Sequence, residues 1–158
     1  MLLLLKILIM NNNNHHYMGI ELNMQTFELL DKKDRSKKDN KRMINFAKAS
    51  LYHWRKSDKY GIINEQRGQW LMSHVYAKLN KSDEALSYVQ EALKITEENK
   101  KKMKDFDLAY AYESMARAYS ISGDKDKSEK WYKKARDTGD LITGEKDKEY
   151  FILDLNSK

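Results

Sequence analysis

Catalysis or metal binding by ordinary side chains needs nucleophiles, proton carriers or ligands at fixed spacings, and this chain offers few. It has four His and no Cys, so thiolate nucleophiles, disulfides and Cys-ligated zinc are all excluded. No Gly-rich phosphate loop, His-x3-His pair or Gly-x-Ser-x-Gly elbow occurs. Of the imidazoles, His15 and His16 fall near the start, His53 stands beside Trp54, and His74 lies mid-chain. We read His53 as structural or half-exposed and expect no catalytic residue, metal site or cofactor. Glu113 and Arg117 are four apart, a spacing that on a helix makes an ion pair worth only about 0.3 to 0.5 kcal/mol at the surface. The residues thus point away from an enzyme and toward a surface that binds.

The elements behind such a surface follow from composition. In 158 residues, 41% are hydrophobic and 34% charged, with six Gly and no Pro. That suits one soluble, mainly helical domain, and a chain of this length buries roughly 70% of its unfolded surface. No Pro and so few Gly leave little turn chemistry for a many-stranded sheet, whereas Lys, Glu, Leu, Ala and Met favour helix. The absence of Cys points to a reducing, cytoplasmic setting.

The net charge of +6 is uneven: residues 1–60 hold 12 basic and 6 acidic side chains, and the rest balance at 18 each. Much of the excess is the run Lys32, Lys33, Arg35, Lys37, Lys38, Lys41 and Arg42. Asp31, Asp34 and Asp39 dilute it and no aromatic interleaves it to stack a base, which disfavours nucleic acid and favours a solvated segment with a helix start. The opening ten residues are apolar but too short to span a bilayer, which needs about 20, and they lack the layout of an export signal. Met10 and Met18 could each be the true start, so residues 1–16 are expected to be a disordered or non-native lead, with no membrane anchor.

Self-similarity appears at an offset of 43 residues. Ala49, Ala92 and Ala135 fall in register, as do Phe46, Val89 and Tyr132, and Met72-Ser73 with Tyr76 matches Met115-Ala116 with Tyr119. Within each unit the apolar spacing is helical. Helices are predicted over about 17–30 (with Ile20, Met24 and Phe27 inward), 36–56, 62–79, 83–103, 105–122 and 125–140. A last one, about 145–155, places Phe151, Ile152 and Leu155 at 43 residues after Leu108, Ala109 and Tyr112. Asp105 or Asp107, Ser82 and Asp124 are candidate N-caps, and Gly123 is a candidate left-handed stop. Lys100, Lys101, Lys102 and Lys104 are placed at a helix C-terminus, where the dipole favours cations.

Tyr112, Met115, Ala116 and Tyr119, then Ser128, Tyr132 and Ala135, resemble the tetratricopeptide repeat, as do Met72, Ser73 and Tyr76 with Ala85, Val89 and Ala92. Gln69 replaces the pattern's aromatic, no closing Pro occurs, and the period exceeds the usual one, so the extra length fits within longer helices. Tyr52-His53-Trp54, Arg67-Gly68-x-Trp70-Leu71 and the stretch Asp105 to Ala118 also resemble a group of bacterial proteins of this type that carry no assigned activity.

The resemblance implies an all-α, right-handed superhelical stack of antiparallel helix pairs, about seven helices, with units at about 17–57, 61–103 and 105–140 and a capping helix at 145–155 in one domain over 17–158. It also implies that first helices line a concave face, which would gather Arg67, Trp70, His74, Lys78, Tyr110, Glu113 and Arg117 into a groove for a protein or peptide. Trp70, beside the pattern's own aromatic position, stays open between groove anchor and packing residue. A homodimer through Phe151, Ile152 and Leu155 of the last helix is the alternative reading, ahead of a basic-surface binder of nucleic acid.

Overall fold

The computed structural model describes residues 12–156, and every regular element there is helical: α1 (Asn12–Asp31), α2 (Lys37–Lys56), α3 (Ile62–Lys78), α4 (Ser82–Glu98), α5 (Asp105–Ser122), α6 (Lys125–Gly139) and α7 (Glu145–Asn156), with a 3-10 turn at Lys100–Lys102. The chain divides into two compact units, one ending at Gly68 and one beginning at Gln69. Most of the expected lead at 1–16 lies outside the described residues, but α1 begins at Asn12, so His15 and His16 are already helical.

In the first unit α1 and α2 form a hairpin whose turn is built from the basic run itself. Ser36 caps α2: its Oγ accepts from the Asp39 amide (3.1 Å), and Asp39 accepts from the Ser36 amide (3.0 Å). Lys32 Nζ is 2.7 Å from the same carboxylate, and that contact, with the Ser36 bonds, holds Asp39 far below the usual carboxylate range. Arg35 Nη1 donates to the carbonyls of Leu29, Leu30 and Lys32, satisfying the open end of α1. Lys32 and Arg35 are therefore engaged in making the turn.

The inward face of α1 is Leu22, Thr26, Leu29 and Leu30, whereas Ile20 and Met24 are exposed and Phe27 is half-buried. The rotation from the expected face is set by a close approach at Gly19, whose carbonyl accepts from Ser50 Oγ at 2.7 Å. Thr26 tolerates full burial because its hydroxyl donates back to the Leu22 carbonyl. In α2 the buried stripe is Asp39, Met43, Ala47, Ser50 and Leu51, with Ala49 and Phe46 half-buried. That stripe matches Ala85, Val89, Leu93 and Thr96 of α4 at 46 residues, not 43, because α2 has 20 residues to the 17 of α4.

From α3 onward the helix starts are spaced evenly, α3 to α5 and α4 to α6 each by 43 residues. The two helix pairs cross where side chains are smallest, and each crossing carries one hydroxyl. Ser73 Oγ donates to the Ala85 carbonyl (2.9 Å), and Ser128 Oγ donates to the Ala116 carbonyl (2.9 Å). The serine changes helix between the pairs while the bond stays in place. Asn80, in the left-handed region at φ 55°, turns α3 into α4; Gly123, at φ 83°, ends α5. Asp124 accepts from the Lys127 amide and caps α6.

Two expected ends of α4 differ, and at α5 one of two candidates caps the start. Helix α4 stops at Glu98, where Asn99 Nδ2 donates to the Ile95 carbonyl, so the lysine run forms the 3-10 turn and not a helix terminus. Ser82 opens α4 without capping it; Lys81 is the cap residue, and its side chain does not cap the helix but reaches Glu84 at 3.3 Å. At α5, Asp107 accepts from the Lys104 amide, while Asp105 accepts from the amide and hydroxyl of Thr143.

Helix α7 closes the second unit's core, in which Phe151 and Leu155 join Ala109, Ala135 and Ile142. Phe151 is 0% exposed, and a Cβ built on Gly139 would lie 2.1 Å from its Cε1. Gly139→Ala is expected to lower stability by about 1 to 3 kcal/mol through overpacking, read from the midpoint of chemical denaturation; an unchanged midpoint would show that Phe151 can shift freely.

Candidate functional site

Helices α3 and α5 of the second unit place Trp70, His74, Lys78, Tyr110, Glu113 and Arg117 near one another through the three- and four-residue steps of a helix face. Their contacts divide them into an aromatic group and a charged group. Trp70 meets Tyr110 edge-on with ring centroids 5.7 Å apart, and Tyr110 meets Phe151 of α7 at 5.0 Å. The Tyr110 hydroxyl donates to Asp154 of α7 at 2.8 Å. Burial, with Asp154 beside it, pushes that phenol well up. Helix α7 thus covers Tyr110, and Trp70, half-buried, packs against Tyr110.

The charged group is enclosed. Glu113 is 6% exposed and Glu113 Oε1 accepts from Arg117 Nε (3.0 Å) and Nη2 (2.5 Å). Arg117 Nη1 lies 2.8 and 2.9 Å from the two ring nitrogens of His74. Burial raises the Glu113 carboxyl, and the Arg117 guanidinium opposes that rise. Burial, then the charges of Arg117 and Lys78, holds His74 well below the usual imidazole range, so it stays neutral and accepts. An ion pair expected at the surface is here mostly desolvated, which makes removal of one partner costly. Arg67 lies exposed on α3, within the first unit.

Beside the network opens a cleft of about 580 Å³, lined by Lys78 of α3, by Glu113, Arg117, Ser120 and Ile121 of α5, and by Ser128, Glu129, Tyr132, Lys133, Arg136 and Asp137 of α6, with Leu155 of α7 at one end. Lys78, Glu113 and Arg117 are the members of the expected set that reach it. The α6 contribution was not foreseen, although Tyr132 and Arg136, four apart, carried a signal: the Arg136 guanidinium lies over the Tyr132 ring at 5.1 Å. Four cations line the cleft against three carboxylates, and of these Glu113 is paired with Arg117 and Asp137 with Lys133. The walls mix apolar surface with hydroxyls and charges, the usual composition of a recognition cleft.

On the outer side of α7, Tyr150, Ile152 and Leu153 are exposed, while Phe151 and Leu155 are buried. A dimer through this helix would therefore use Tyr150 and Leu153 in place of the buried pair named from the sequence.

The tetratricopeptide-repeat family model matches residues 67–99 and 109–135, segments within the helix pairs α3–α4 and α5–α6 that repeat the crossing bond. These two matched segments and an all-helical fold of paired neighbours fit a tetratricopeptide-like repeat protein. Repeats of this kind are protein interaction modules. No curated protein and no solved structure matches the chain. Among the described residues no helix is long and apolar enough to cross a membrane.

Two expectations follow. Trp70→Ala should destabilise cooperatively by about 2 to 4 kcal/mol in denaturant unfolding, because Tyr110 loses its partner; a loss under about 0.5 kcal/mol would return Trp70 to the surface. For His74 the folded pKa lies below the unfolded value of 6.5. Its contribution to stability is then complete above about pH 6.5 and falls as pH drops and the unfolded chain takes up the proton. Melting temperatures from pH 7.5 to 5.5 should decline less in His74→Gln, which keeps an acceptor for Arg117, than in the parent; parallel declines would refute this assignment.

Proposed function

We propose that the protein binds a segment of a partner protein in the cleft between α5 and α6, without a catalytic step of its own, and that it works in the cytoplasm. The observation that carries this is the cleft itself: it stays open beside α7, and its Arg117 is held in place by Glu113 and His74. A preset guanidinium loses little freedom on meeting a carboxylate, which favours recognition of an acidic side chain. Lys78 and Arg136 extend the positive lining, and Ile121 and Leu155 supply apolar contact. The ligand favoured is a short acidic segment with at least one apolar residue.

The test is selection of displayed random peptides on the purified chain, followed by affinity measurement with Lys78→Glu/Arg136→Glu. Both side chains are exposed, so the variant should fold normally. Selected peptides should be rich in Asp and Glu, and their affinity should fall at least tenfold in the variant. Peptides lacking acids, or bound equally by both proteins, would reject the reading.

The exposed Tyr150 and Leu153 favour one second reading, self-association through the outer face of α7. Light scattering at high concentration should then show a dimer that Tyr150→Glu/Leu153→Glu dissociates. A monomeric mass throughout would dismiss it.

A further inference from the structure

The first unit holds a pair of side chains that plays no part in the cleft. His15 of α1 and His53 of α2 face one another with their Nδ1 atoms 2.8 Å apart, and both rings are half-buried and reachable from solvent. Their placement is rigid. One turn beyond His15, Gly19 receives the Trp54 ring so closely that a Cβ there would lie 3.1 Å from it, and Ser50 Oγ bonds the Gly19 carbonyl. The Tyr52 ring stands edge-on to both imidazoles, with centroids 5.4 Å from His53 and 6.2 Å from His15. Two helices held together at Gly19 thus present two imidazole nitrogens side by side.

We propose that His15 and His53 form a bidentate site for a divalent transition metal that prefers tetragonal coordination, Ni2+ or Cu2+. Bonds of about 2.0 Å to two nitrogens in adjacent positions at right angles place those nitrogens about 2.8 Å apart, whereas a tetrahedral ion asks for about 3.3 Å. The hydrogen-bonded separation of 2.8 Å is close to the right-angled case, so a modest turn of the two rings aims both nitrogens at one ion. In the metal-free pair one Nδ1 donates to the other; on coordination that proton moves to the donor's own Nε2, leaving two neutral ligands and two free Nδ1 lone pairs. No group of three or more His, Cys, Asp or Glu side chains among the described residues could hold a metal, so water fills the remaining positions and the site stays open to a further ligand. The bound ion ties the start of α1 to the end of α2. Binding to the folded form alone raises the folded-to-unfolded ratio in proportion to free metal above the dissociation constant, about 100-fold at 100 times that constant.

The experiment uses the tag-free full chain and nickel chloride at pH 7.5. Calorimetric titration should show one Ni2+ per chain, with a raised melting temperature. His15→Gln and His53→Gln should each weaken binding at least tenfold, and His16→Gln, whose ring packs edge-on against Trp54, should bind as the parent does. Because a Gln variant can loosen the hairpin, NMR of the unaltered chain provides a second reading. Paramagnetic broadening by Ni2+ should centre on the ring signals of His15 and His53 and spare His74. No binding by the parent, equal binding by the His15 and His53 variants, or broadening centred elsewhere would overturn the site.

Discussion

Phe151 can be fully buried only because the helix it meets has no side chain at the point of contact. Gly139 leaves room for the ring, and Ala109 and Ala135 keep the surrounding walls low. Burying an aromatic ring of this size contributes about 2 to 3 kcal/mol, and it also fixes α7 in place. The Tyr110 ring then has an edge to rest on, its hydroxyl has Asp154, and Trp70 packs against Tyr110 in turn. Helix α7 thus decides which part of the inner face is covered and which remains open as the cleft.

The open part is not loosely arranged. A buried carboxylate, a guanidinium and a neutral imidazole satisfy one another across α3 and α5, and each would be costly alone. The energetic gain of such a network over an apolar core is small. What it supplies is orientation: Arg117 is held in one geometry beside the cleft. An interaction module needs that property more than it needs surplus stability.

The first unit uses charge differently. Lys32, Arg35 and Asp39, which the sequence places in a solvated segment with a helix start, end α1 and begin α2. The same principle explains the 3-10 turn at Lys100–Lys102: Asn99 ends the helix through its own amide before the lysines begin. In both places a local hydrogen bond to an open helix end decided the structure.

The sequence by itself determined the helical class, the two pairs α3–α4 and α5–α6 with their turns, and the small residues at their crossings, because these depend on spacing within about 20 residues and on local capping chemistry. It also excluded cysteine chemistry, since the chain has no Cys. Tertiary structure alone decided the rest. The register of α2 depended on its three additional residues, and the inward face of α1 on the approach of Trp54 and Ser50 to Gly19. The roles of Trp70 and Tyr110 depended on where α7 comes to rest, and the contribution of α6 to the cleft on which of its faces α7 leaves uncovered. The pairing of His15 with His53 joins residues 38 positions apart, a separation at which no periodicity within one helix carries information.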